Sequence, residues 1–264
     1  MRENRLRTIW QEGGVAINGW LHIPSSYSAE VMAHRGWDSL VLDMQHGPID
    51  AVNALAMLQA ISTTPTVPLV RVPWNEPSII MRMLDAGCYG VICPMVNTRE
   101  HAEEFVAACR YPPAGNRSFG PYRATLYGGA DYAEHANDTV ITMAQIETTQ
   151  ALDNLDEILS VPGLDAVFIG PSDLGQSIGV PPRMDTTEPQ TVEAIDLVLE
   201  RARHHDVVAG IFTVDPEYAA AMIDKGFQFV SCASDARLAA SAADAVLGRL
   251  RAAGRESAPA GHGY

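Results

Sequence analysis

Two carboxylates, Glu147 and Asp173, each stand at or near the end of an apolar run. VITMAQIE closes on Glu147, and DAVFIGPSDL carries Asp173. Between them, TTQALDNLDEILSVPG has helical periodicity, so residues 140–173 read as strand, helix, strand. If the two strands are parallel neighbours, both carboxylates converge on one rim of the sheet. Two oxygen donors flanking open space suit a hard divalent ion such as Mg²⁺, Mn²⁺ or Co²⁺. The same residues also satisfy a plainer assignment, with Glu147 capping the following helix and Asp173 in a turn.

Other residues at strand ends bear on that choice. His46 follows the run LVLDM beside Gly47-Pro48, and an imidazole on a loop can act as a base near neutral pH. Asp85, in MLDAG, could orient it, or could instead interact with its own helix end or with Arg82. Arg71 ends the otherwise apolar run VPLVRV and needs an anionic partner. Asp43 would make that a structural ion pair; a substrate carboxylate or enolate would make it a binding residue. The GPSD segment could offer backbone N–H groups to an anion. Trp20 and Phe212 supply two aromatic walls at the same strand ends.

These residues require a scaffold that gathers strand ends. The chain alternates strand and helix eight times. The strands are expected at 16–23, 38–44, 67–72, 90–95, 139–146, 165–170, 207–212 and 227–232, short and nearly continuously apolar, as in parallel sheets covered on both faces. Asn75 and Gly87 are expected to bound one helix, and Asp215-Pro216 and Gly226 another. Alternation over most of 264 residues suggests one (β/α)₈ barrel, with an open doubly wound sheet as the alternative. Neither a GxGxxG turn nor a GxxxxGK[ST] loop is present. Residues 111–138 form a long Gly-, Tyr- and Arg-rich connection that suits a lid or an intersubunit loop. The barrel is expected over 1–253, including a C-terminal helix, with 254–264 a disordered tail.

Composition excludes several classes. A net charge of −14 argues against nucleic acid or an anionic membrane as partner. No apolar run reaches membrane-spanning length, and the N-terminal stretch lacks the apolar core of a signal peptide. Four cysteines without CxxC spacing read as buried thiols, and the expected location is the cytoplasm. Lys225 is the only lysine, and it precedes the last strand, at the end of a barrel that serves stability. A Schiff-base mechanism is therefore disfavoured.

LVLDMQHGPID, VRVPWNEPSIIMRMLDAGCYGVICPMVNT, RYPPAGNRSFGP, QIET and VFIGPSDL, in that order, resemble the HpcH/HpaI family of metal-dependent pyruvate aldolases, and most closely its hydroxyketoacid aldolases. The resemblance spans about residues 10–250. It implies a (β/α)₈ barrel, a hexamer built as a trimer of dimers, and aldol cleavage of a 4-hydroxy-2-oxoacid to pyruvate, or hydroxypyruvate, and an aldehyde. By the same resemblance Glu147 and Asp173 match the metal ligands, and Arg71 the residue on the pyruvate carbonyl and enolate. His46 and Asp85 match a catalytic dyad. Gly170, Pro171 and Ser172 match the segment holding the carboxylate, and Gln145 joins the substrate-binding set. Trp20 and Phe212 match the aldehyde pocket. Gln45 departs from members that carry Glu before this histidine and cleave long dioates. A related lyase of the citrate-lyase or malyl-CoA type, an oxaloacetate decarboxylase, or a non-catalytic 2-oxoacid-binding protein are the rival readings.

Overall fold

Eight parallel strands pair in sequence order in the computed structural model, which describes residues 1–252. They are β1 (Ala16–Leu21), β2 (Ser39–Asp43), β3 (Val67–Arg71), β4 (Gly90–Cys93), β5 (Ile141–Ile146), β6 (Ala166–Ile169), β7 (Val208–Thr213) and β8 (Phe229–Ser234). β1 also pairs with β8, which closes the barrel and rules out the open sheet. Each expected strand is present. The tail expected at 254–264 lies outside the described residues.

Strand side chains alternate between two faces. One parity, including Trp20, Val41, Leu69, Ile92, Met143, Phe168 and Phe229, forms one buried cluster inside the barrel. The other parity, including Leu42, Val70, Val91, Ala144 and Ile169, packs against helix residues such as Leu58, Ile80, Phe105, Ile158 and Ile195. A small polar layer lies within the barrel, where the Asn18 amide donates to Ser231 Oγ and accepts from Ser39 Oγ, both at 2.8 Å. This parity decides the site. Asp43, Arg71, Gln145 and Phe212 share the inward parity of Val41, Leu69, Met143 and Val208 on their respective strands.

Helix boundaries differ from expectation in two places. The helix Pro77–Asp85 is capped by Glu76, not Asn75: the Glu76 carboxylate accepts from the N–H groups of Ser78 and Ile79, and Pro77 takes the first helical position. The single helix expected after β5 is two short ones, Thr149–Asp153 and Leu155–Leu159. Asn154 separates them, its amide donating to the Asn97 carbonyl at 2.9 Å. An asparagine engaged this way competes with helical continuation. Asp215, Pro216 and Gly226 bound the helix Pro216–Lys225 as expected, with Gly226 at φ 105°.

The 111–138 connection carries two helices, Tyr122–Gly128 and Tyr132–Thr139. It packs at the N-terminal end of the barrel. Arg123 reaches the carbonyls of Ala86 and Leu58, and Arg117 is buried between Asp85, Tyr111 and Tyr132. It is therefore no lid over this chain's own strand C-termini. Phe119, Tyr122 and Leu126 on it are 74%, 89% and 85% exposed.

Candidate active site

At the C-terminal ends of the strands lies a cavity of about 300 Å³, lined by Trp20, His22, His46, Arg71, Gln145, Phe168, Gly170, Pro171, Ser172, Asp173, Met184 and Phe212. It has the size and the mixed apolar and polar lining of a small-molecule site.

The register of β2 against β3 places Asp43 directly beside Arg71. Asp43 Oδ1 accepts from Arg71 Nε (2.9 Å) and from the backbone N–H groups of Gln45 (3.1 Å) and His46 (3.2 Å). Its Oδ2 accepts from Arg71 Nη2 (2.5 Å), His22 Nε2 (2.8 Å) and Trp20 Nε1 (3.1 Å). Burial alone would raise the Asp43 pKa. The hydrogen bonds from His22, Arg71 and Trp20, with the Arg71 charge, outweigh it and hold the carboxyl well below the usual carboxylate range. Arg71 is thus fixed by two of its nitrogens and by the Trp20 ring, 4.9 Å from its guanidinium carbon. The third nitrogen, Nη1, makes no hydrogen bond among the described residues, and Arg71 lines the cavity. The structural ion pair and the binding role are therefore compatible: the first orients the side chain for the second.

Two strands along from β3, Glu147 follows β5 and is buried. Its Oε1 accepts from the Met95 N–H at 2.9 Å, and its Oε2 accepts from Gln145 Nε2. Met95 sits at φ 56°, a left-handed conformation unusual for a residue with a side chain, at the position that supplies this N–H. Burial, with the Asp173 charge adding to it, pushes the Glu147 pKa up despite those hydrogen bonds. Asp173 lies in the first turn of the helix Pro171–Ser177, which starts at Gly170. Gly170 leaves room for both: a Cβ there would stand 2.9 Å from Gln145 Nε2 and from Glu147 Oε2, so their ends would have to shift. Glu147 is therefore no simple helix cap; Thr148 caps the next helix instead. Gln145 Oε1 is buried with no hydrogen-bond partner among the described residues.

Aromatic rings form the remaining wall. Trp20 stacks on Phe168 (centroids 5.6 Å apart) and meets Phe212 edge-on (5.2 Å).

Of the residues singled out from sequence, Trp20, His46, Arg71, Gln145, Gly170, Pro171, Ser172, Asp173 and Phe212 line one cavity, and Glu147 stands directly behind Gly170. Asp85 is elsewhere. It ends the helix that starts at the cavity mouth, and nine residues of helix carry it about 13 Å toward the opposite end of the barrel. There Arg117 Nη2 donates to its Oδ1 at 2.7 Å. Within one chain the structure does not bring Asp85 to His46. Lys225 pairs with Asp196 and lies away from the cavity. Cys88, Cys93 and Cys109 fit the expectation of buried thiols, and burial pushes Cys88 and Cys109 up to about 12; Cys232 is only half-buried.

Four cavity features escaped sequence reasoning. His22 was readable, since it shares the parity of Trp20 two residues before it. Asp43 was considered only as a partner for Arg71, and its six donors depend on tertiary packing. Phe168 and Met184 carried no distinguishing signal.

The match to known proteins agrees with this geometry. The family model for HpcH/HpaI aldolase/citrate lyase matches residues 18–242. The chain is 46% identical to a hydroxypyruvate/pyruvate aldolase of Rhizorhabdus wittichii, over 94% of this chain and 99% of that protein. It is 38% identical to the 4-hydroxy-2-oxo-heptane-1,7-dioate aldolase of Escherichia coli, over 95% and 96%. A crystal structure of an HpcH/HpaI aldolase/citrate lyase family protein from Burkholderia cenocepacia superposes with a TM-score of 0.88 at 31% identity, covering 94% and 99%. The chain belongs to the HpcH/HpaI aldolase/citrate lyase family and is an aldolase, a carbon–carbon lyase.

Proposed function

We propose that this aldolase reversibly cleaves a 4-hydroxy-2-oxoacid to pyruvate or hydroxypyruvate and a short aldehyde, with a divalent ion held by Glu147 and Asp173. The observation that carries the reading is the pairing of a carboxylate end with an open arginine nitrogen in one cavity. Asp173, Arg71 and Gln145 line it, and Glu147 lies behind Gly170 with Gln145 beside it.

The donor set fits a hard cation. Two carboxylates share a site where burial and mutual charge disfavour ionisation of Glu147, which a cation would relieve. Gly170 leaves the space beside Glu147 Oε2 unfilled. Among the described residues no cluster of three or more such ligands exists, so the substrate and water would complete the coordination. When bound, the ion supplies Lewis acidity to the carboxylate and keto oxygens of the 2-oxoacid.

The residues of the chain do the rest. Arg71 Nη1 donates to the keto oxygen and gains strength as negative charge develops there during C3–C4 cleavage. The first backbone N–H groups of the helix Pro171–Ser177, at Ser172 and Asp173, have no partner within the helix and face the substrate carboxylate. His46, exposed at the mouth, takes the proton from the substrate's 4-hydroxyl and returns one to the three-carbon product. Trp20, Phe168 and Phe212 exclude water from the bond that breaks.

The expected hexamer gives Asp85 a place. In one chain it is too far from His46 to orient it, yet it lies beside the exposed Phe119, Tyr122 and Leu126 surface. We assign that surface to subunit contact, with Asp85 presented to His46 of a neighbouring copy.

Incubation with pyruvate or hydroxypyruvate and a panel of aldehydes, followed by product analysis, tests the reading. A 4-hydroxy-2-oxoacid should form, formation should stop on chelation, and Mg²⁺, Mn²⁺ or Co²⁺ should restore it. Turnover in a verified metal-free preparation would refute the metal assignment.

A further inference from the structure

His22 is a second imidazole in the cavity, and it is held at both ends. Its backbone N–H donates to Asp235 Oδ1 at 2.8 Å, and its ring Nε2 donates to Asp43 Oδ2 at 2.8 Å. An ionised carboxylate only accepts, so the hydrogen resides on Nε2, and in the neutral ring Nδ1 becomes an acceptor. Nδ1 has no hydrogen-bond partner among the described residues, and a third of the side chain is exposed.

The position of the ring matters as much as its bonding. His22, Met184 and Phe212 line both the cavity and the groove beside it, which runs along the helix Asp235–Ala252. These three residues therefore mark the boundary that an acceptor must cross as it extends away from Glu147, Asp173 and Arg71. Met184 and Phe212 present apolar surface there. His22 is the one member that can form a hydrogen bond through its side chain with a passing group.

We propose that His22 determines acceptor specificity: its Nδ1 accepts a hydrogen bond from a hydroxyl on the aldehyde, so that short hydroxyaldehydes are favoured over alkyl aldehydes of equal size. The proposal rests on the 2-oxoacid lying at the Glu147, Asp173 and Arg71 end. A positioned acceptor discriminates, because the alkyl analogue displaces water from Nδ1 without replacing its hydrogen bond. A purely structural His22 would only hold Asp43, and through it Arg71, and would affect every acceptor alike.

The test compares hydroxyacetaldehyde with propanal, which replaces the hydroxyl by a methyl group, using pyruvate as common donor. The readout is the ratio of kcat/KM for the two acceptors, in which any shared loss of pyruvate activation cancels. His22→Phe keeps an aromatic ring without the nitrogen acceptor and should lower the ratio by roughly tenfold. His22→Gln, with Nε2 to donate to Asp43 and Oε1 to accept, should retain more of it. An unchanged ratio in His22→Phe, or equal loss for both aldehydes, overturns the proposal. A misplaced 2-oxoacid end shows itself separately, as undiminished turnover in Glu147→Gln.

Discussion

At the scale of single residues, the site depends on buried charges whose partners fix their direction. Arg71 commits two nitrogens to Asp43, and the proposed function gives the third, which has no hydrogen-bond partner among the described residues, to the substrate. Arg71→Ala should lower kcat/KM by about 10²–10³-fold, the usual cost of removing a donor to a developing oxyanion. Arg71→Lys should recover little, because an ammonium cannot hold Asp43 through two nitrogens and reach the substrate with a third. Steady-state kinetics decide this, and near-wild-type Arg71→Ala would reduce the residue to a structural ion pair. Asp43 gives a pH test. Its folded pKa is depressed below the ordinary 3.8, so its ionised form stabilises the fold above that value, and the stabilisation is lost as pH falls below it. Asp43→Asn should be strongly destabilising near pH 6, by about 3–5 kcal/mol, since it leaves Arg71 buried and unpaired. The gap to wild type should narrow toward pH 3 in urea denaturation. A gap that widens in acid would contradict the hub role of Asp43. Phe212→Val should alter the kcat/KM ratio of long to short aldehydes, because the ring borders the mouth and carries no titrating or chelating group. Equal loss for every acceptor would give the ring a packing role only.

At the scale of elements, the sequence exposed what repeats and concealed what depends on contact. Eight short apolar runs separated by helical stripes are a periodic signal, and all eight strands follow it. Arg71 is legible as the charged end of an apolar run, whereas Gln145 entered only through the family resemblance, and the inward direction of both is a matter of strand parity that the structure supplies. Asn154 breaking a helix, and Glu76 displacing Asn75 as a cap, turn on single hydrogen bonds that no periodicity encodes. The role of Asp85 was least legible. From sequence it stands as a residue that could orient His46, whereas a helix running back down the barrel carries it to the other end. Gly170 shows the converse, a local feature whose meaning is tertiary. Gly170→Ala would push a methyl group to 2.9 Å from Glu147 Oε2 and Gln145 Nε2. It should weaken Mn²⁺ binding at least tenfold by titration while leaving the circular dichroism spectrum unchanged. Unaltered Mn²⁺ affinity would mean that the ion lies elsewhere.

At the scale of the whole molecule, the proposed mechanism finds its groups in one chain, with the exception of a partner for His46. The exposed aromatic surface around Phe119 and Tyr122 lies on the side where Asp85 waits, and the single-chain sequence offered no means of pairing the two ends. If neighbouring copies complete each other, mixed oligomers of His46→Ala and Asp85→Asn subunits should be more active than either variant alone. No gain on mixing would return Asp85 to its bond with Arg117. The central claim remains that the 2-oxoacid is activated between Glu147, Asp173 and Arg71, independently of any aldehyde. It is tested most directly by following the methyl protons of pyruvate in D₂O by NMR, with no acceptor present. The wild-type enzyme with Mg²⁺ should exchange them, and exchange should vanish on chelation and in Glu147→Gln. Undiminished exchange in a metal-free preparation and in Glu147→Gln would contradict the account.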